Sequence, residues 1–134
     1  MPTHFQKAIE NVLKKHNLLD AFQANSEFSF RLDMPGYDRL VIERQGKTVI
    51  VGHYFEQNSD LMADPEIELH FPTWVPTAIT QILGGRRSKF VERGSQTFVD
   101  TRFHDEVTSF LSTWAENIKG QGWVERAKVT DGNP

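Results

Sequence analysis

Tyr37-Asp38-Arg39-Leu40-Val41-Ile42-Glu43-Arg44-Gln45-Gly46-Lys47-Thr48-Val49-Ile50-Val51-Gly52-His53-Tyr54-Phe55 reads as two strands and a turn. The runs Tyr37 to Arg44 and Lys47 to Phe55 are separated only by Gln45-Gly46. Two residues with glycine second are a tight hairpin signal. With Gln45 and Gly46 as the turn, Arg44 faces Lys47, Ile42 faces Val49, Leu40 faces Val51 and Asp38 faces His53. Leu40, Ile42, Val49, Val51 and Phe55 then share the face that must be buried, and His53 falls on it near Asp38.

The same period extends to both sides. Glu27 to Leu32 alternates, with Phe28, Phe30 and Leu32 on one side and Ser29 and Arg31 on the other. Met34-Pro35-Gly36-Tyr37 places Pro and Gly where a type II turn prefers them. Glu66 to Phe71 alternates again, with Ile67, Leu69 and Phe71 inward and Glu66, Glu68 and His70 outward. Beyond Pro72 the pattern weakens. Pro76 forbids interior helix around Trp74-Val75, Thr77 to Leu83 fits a strand or a helical turn, and Gly84-Gly85 ends it. Lys89 to Arg93 and Gln96 to Asp100 suit a second hairpin around Gly94-Ser95.

Helical period governs the ends. Thr3 is an N-cap with Gln6 completing a capping box, and Phe5, Ala8, Ile9, Val12, Leu13 and His16 share one face. Asn17 stops this helix, and Leu18, Leu19 and Phe22 fold back on the core. Near the other end, Asp100 or Thr101 caps a helix whose apolar stripe is Phe103, Val107, Phe110, Leu111, Trp114 and Ile118. Lys119-Gly120 reads as its stop, and Lys128 to Pro134 as a frayed tail. Helices bracketing strands with short connections predict an α+β fold, residues 1–127, with a mainly antiparallel sheet of four to six strands packed by both helices.

Composition fits one globular domain: 134 residues, 38% hydrophobic, 25% charged, ten Phe and three Trp. With no Cys there is neither disulfide nor thiolate chemistry, which is compatible with a cytoplasmic location. Met1 to Lys7 has no apolar run of the secretory type, and no stretch is long and apolar enough for a membrane-spanning helix. A net charge of −3 argues against a partner held by phosphate neutralisation, so direct nucleic-acid binding is not expected. The one basic cluster, Arg86-Arg87-Ser88-Lys89, is short and glycine-flanked, which favours a solvated turn over a binding patch.

Chemistry-bearing residues concentrate between His53 and His70. Glu66, Glu68 and His70 recur every second residue, ~7 Å apart on one strand face. A divalent metal held by His53, Glu56, Asp64, Glu66 and His70 would activate a water, giving a hydrolase of a nucleotide or phosphoester. Against this, alternation of charge with Ile, Leu and Phe is what any solvated sheet face shows, and Leu61-Met62 breaks the calcium-loop pattern. His53 is more simply a core histidine satisfied by Asp38. Phosphate-loop, dinucleotide and nucleophile-elbow motifs are absent, and no motif calls for a cofactor. Trp114 belongs to the helical stripe, whereas Trp74 and Trp123 are free to serve as exposed interface anchors, for a homodimer among other partners.

His53-Tyr54, Glu56-Gln57-Asn58, Asp60-Leu61-Met62 and Asp64-Pro65 together resemble the signature of a family of small uncharacterised bacterial proteins encoded on plasmids and phages. Trp114 to Lys119 ahead of Gly120-Gln121-Gly122-Trp123 is similar as well, so the resemblance spans about Gly36 to Trp123. Ser59 stands where a Gly often follows the Asn. The resemblance implies a compact α+β domain in a mobile-element setting and carries no catalytic residues with it. The expectation is therefore a non-enzymatic accessory factor that binds a host protein or protein complex, extending to inhibition of a defence assembly of the CRISPR type. Its surface would be Glu56, Asp60, Asp64, Glu66 and Glu68, with Trp74 as anchor.

Overall fold

A computed structural model describes residues 2–130. The chain begins with α1 (His4–Lys15) and α2 (Leu19–Ala24), then runs through β1 (Glu27–Met34), β2 (Tyr37–Gln45), β3 (Thr48–Gln57), β4 (Asp60–His70), β5 (Pro76–Gln81) and β6 (Gly85–Ser88). A small hairpin, β7 (Phe90–Arg93) and β8 (Gln96–Val99), precedes α3 (Phe103–Gln121) and a two-residue strand, β9 (Lys128–Val129). Seven strands form one antiparallel sheet in the order β6-β5-β4-β3-β2-β1-β9, and β7-β8 form a second. The fold is α+β, with more strands than the periodicity alone resolves.

Turn chemistry sets the ladder. Gly36 has φ 89°, which suits the glycine position of a type II turn between β1 and β2. At the β2–β3 turn, Gln45 pairs with Thr48, Arg44 with Val49, Ile42 with Val51 and Leu40 with His53. The expected register is thus displaced by two residues, because Gly46, at φ 61°, takes the first central position rather than the second. A slip of two keeps every side chain on its face. Leu40, Ile42, Val49 and Val51 are all buried together as the alternation requires, whereas Phe55, expected with them, is only half-buried.

The helices cover one side of the sheet. Phe5, Ile9, Val12 and Leu13 of α1, Phe22 of α2 and Phe103, Val107, Leu111, Trp114 and Ile118 of α3 join Phe30, Leu32, Leu40, Ile42, Val49, Val51, Ile67 and Leu69 in one core. Thr3 caps α1 through the Gln6 N–H, as its capping-box pattern predicts. Asp100 Oδ1 accepts from the N–H groups of Arg102 and Phe103 at the start of α3. Val41 and Ala78 are buried yet lie outside that core, on the opposite, helix-free face.

Four expectations are corrected here. α3 does not stop at Gly120 but runs to Gln121, and Gly122 takes φ 90°. The Trp123 N–H then bonds the Ile118 carbonyl and the Gly122 N–H that of Lys119, a Schellman arrangement that returns Trp123 to the core at 0% exposure. Trp74, cast as an exposed anchor, is 2% exposed. The turn after His70 folds back so that its indole packs on Phe22, 5.9 Å between centroids. Lys128 to Thr130, expected to fray, pairs with the edge of β1: the Thr130 N–H bonds the Arg31 carbonyl and its hydroxyl bonds Asp33. The remainder of the expected tail, residues 131–134, lies outside the described residues.

Candidate functional site

The helix-free face is built in rows across the strands. One row is Arg31, Val41, Gly52, Glu66, Thr80 and Arg86; the next is Ser29, Glu43, Ile50, Glu68, Ala78 and Ser88. Gly52 leaves a gap in the middle of the first. A Cβ there would lie 2.9 Å from Tyr54 Cε1 and 3.1 Å from the Pro65 carbonyl oxygen, so the missing side chain is what lets the Tyr54 ring lie over β3. From that position the Tyr54 hydroxyl donates to Glu66. Burial, then the bond to Glu66 and the charges of Glu66, Glu43 and Glu68, push the phenol well above its ordinary range. Tyr54 is therefore a fixed neutral donor.

Beside it, a depression of about 440 Å³ is lined by Arg31, Arg39, Val41, Glu43, Tyr54, Glu56 and Leu61, among others. Arg39 is held by Asp33, Nε to Oδ1 at 2.9 Å. A larger groove of about 680 Å³ runs between α1 and α3 with Lys7, Lys14, Lys15 and Lys119 on its walls. It contains none of the candidate site residues named from the sequence. Chemistry-bearing side chains gather on the sheet face, not there.

The acidic stretch is a hairpin arm. β3 and β4 continue past Tyr54 and Ala63 through the pairs Phe55–Met62, Glu56–Leu61 and Gln57–Asp60. Asn58 and Ser59 turn the chain with φ 53° and 69°, the two left-handed positions of a type I′ turn. The bend of the arm is thus confined to two residues. Between Gly52–Glu66 and Tyr54–Ala63 the register shifts, because β4 carries one residue more across Asp64-Pro65. β5 pairs with β4 only from Glu66 onward, and β2 with β3 only as far as Tyr54, so the arm projects beyond both neighbours.

The sequence-selected residues divide accordingly. Glu56 and Asp60 are exposed on the arm, and Asp64 is half-buried at the register shift. Glu66 is engaged by Tyr54, and Glu68 by Arg86 at 3.3 Å. Trp74 is on the far side, in the core. The basic cluster is consumed structurally as well: Arg87, on the helix side, bridges Asp100 and Glu106.

The metal set does not assemble. His53 stands opposite Leu40 on the helix side, while Glu66 is on the other face. His70 is four residues along β4 from Glu66, ~13 Å at strand rise, and bonds Thr73 Oγ1 at 2.9 Å. Among the described residues no three His, Asp or Glu side chains are grouped to hold an ion. Both His53 nitrogens are occupied: Nδ1 meets the Asp38 backbone carbonyl at 3.1 Å, and Nε2 accepts from Trp114 Nε1–H at 3.2 Å. Asp38 satisfies this histidine through its main chain, not its carboxylate. Burial lowers the imidazole pKa against the opposing pull of Asp38. Among the described residues, no helix is long and apolar enough to cross a membrane.

Tyr54, Gly52, Arg31, Arg39 and Glu43 did not emerge from the sequence as site residues. The available signal was parity: once Gly52 is placed on β3, Ile50 and Tyr54 share its face, and strand pairing adds the odd-numbered Arg39 and Glu43 of β2 and Arg31 of β1.

Comparison with curated proteins gives no match, and comparison with solved structures gives none either. Residues 7–124 match a family described as a domain of unknown function, DUF6908, and the chain belongs to that family.

Proposed function

We propose that this protein is a non-enzymatic binding factor that engages a host protein or protein complex through the acidic arm. The observation that carries the reading is the projection of the β3–β4 hairpin beyond its neighbours with Glu56 and Asp60 exposed on it. Groups that a catalyst would need free are committed elsewhere: His53 to Asp38 and Trp114, Glu66 to Tyr54, Glu68 to Arg86. Complementary charge speeds and orients encounters, so a carboxylate-bearing arm suits a basic partner surface. The resemblance of His53 to Pro65 supports placing it on a plasmid or phage. An acidic arm also suits a defence complex of the CRISPR type, whose nucleic-acid channel is basic.

Affinity capture from host lysate tests this, comparing the unaltered protein with Glu56→Lys/Asp60→Lys. Loss of the captured partner in the double variant is expected. Equal capture by both would refute the acidic arm as the binding surface.

A further inference from the structure

We infer that the outer edge of β4 from Asp60 to Asp64 accepts an extended basic segment of the partner as an additional strand. This inference rests on the acidic-arm reading above and specifies its mode. β5 covers β4 only from Glu66 onward, and among the described residues no backbone hydrogen bond reaches the edge between Asp60 and Pro65. The pair beside a two-residue turn exchanges both its hydrogen bonds, and the pattern then alternates. Gln57–Asp60 and Phe55–Met62 are therefore bonded pairs, and Leu61 and Ala63 turn their N–H and C=O groups outward.

Unpaired strand edges are templates for another strand, and side chains decide which one. A second copy of this chain is disfavoured. The antiparallel register using both outward residues sets Leu61 opposite Ala63, which forces Asp60 opposite Asp64 at both ends. Like charges directly opposite oppose pairing. The same two carboxylates favour a strand with cations at the matching positions, and neither has an ion-pair partner among the described residues. Leu61, 65% exposed on the other face of β4, offers an apolar contact to the alternate residues. The occupant is a strand with lysine or arginine on one face and aliphatic residues on the other.

The probe is an acetylated, amidated peptide of alternating lysine and valine, with a glutamate–valine peptide as control. Fluorescence anisotropy reads affinity, and amide hydrogen exchange on the unaltered protein reads the edge directly. Binding of the lysine peptide alone, with slowed exchange at Leu61 and Ala63, is expected. Ala63→Pro removes an outward N–H without touching the ladder to β3 and should weaken binding about ten-fold or more. Thermal unfolding of that variant checks its fold. Unchanged exchange, or full affinity in Ala63→Pro, overturns strand addition and leaves the acidic-arm reading standing. No binding, or binding indifferent to Glu56→Lys/Asp60→Lys, overturns both.

Discussion

Trp114 Nε1–H donates to His53 Nε2 across 3.2 Å, joining helix to sheet between residues 61 positions apart. The bond requires the neutral tautomer with its proton on Nδ1, toward the Asp38 carbonyl. Protonation at Nε2 would set two donors against each other.

Stability should therefore fall on mild acidification. The folded imidazole has a pKa below the ordinary 6.5, so below that value the unfolded chain binds more protons. The contribution is complete above 6.5 and declines as pH drops through 6.5 toward the lowered native value. His16, lowered by burial and then by Lys15, adds in the same direction. Urea unfolding at about pH 7.5 and about pH 5.5 should show the loss, with His53→Gln retaining only the His16 share. Trp114→Phe leaves Nε2 without its donor and should cost about 1–3 kcal/mol at the higher pH. An unchanged midpoint in either comparison would contradict the arrangement.

Gly52→Ala should destabilise by about 1–3 kcal/mol, since the new methyl meets both the Tyr54 ring and the Pro65 carbonyl. Combining it with Tyr54→Ala relieves the first contact and not the second, because the carbonyl is backbone. The double-mutant cycle should show coupling between the two sites. Strict additivity would mean the ring does not rest on Gly52.

Ser59→Gly should stabilise the protein by about 1 kcal/mol. Ser59 sits at φ 69°, where an L side chain is penalised and glycine is not. Thermal unfolding decides it, and a lower midpoint would argue against the type I′ turn.

Reversing charge separates the exposed arm from the hydrogen-bonded sheet face. Glu56→Lys and Asp60→Lys, on exposed positions, should change stability by less than about 0.5 kcal/mol. Glu66→Lys removes the acceptor of Tyr54 and should destabilise by about 1–3 kcal/mol. Denaturant titration of the three variants gives the contrast. Equal losses in all three would dissolve the distinction between arm and sheet face.

Periodicity made the central hairpin legible because Leu40, Ile42, Val49 and Val51 alternate so regularly that a two-residue error in register leaves their burial unchanged. The helical stripes were readable for the same reason. Trp74 and Trp123 were not, since each reaches the core through a chain reversal rather than through a position in a repeat. β9 is two residues long, too short to have a period. In the candidate site the carboxylates were visible by type, but their commitments, Glu66 to Tyr54 and Glu68 to Arg86, depend on strand pairing that no local pattern encodes.

All three helices lie against the same side of the sheet, which gives the protein a back and a front. Exposed arm residues such as Glu56 and Asp60 can change while the oily interior stays constant, and a substitution screen scored for abundance alone would overlook them.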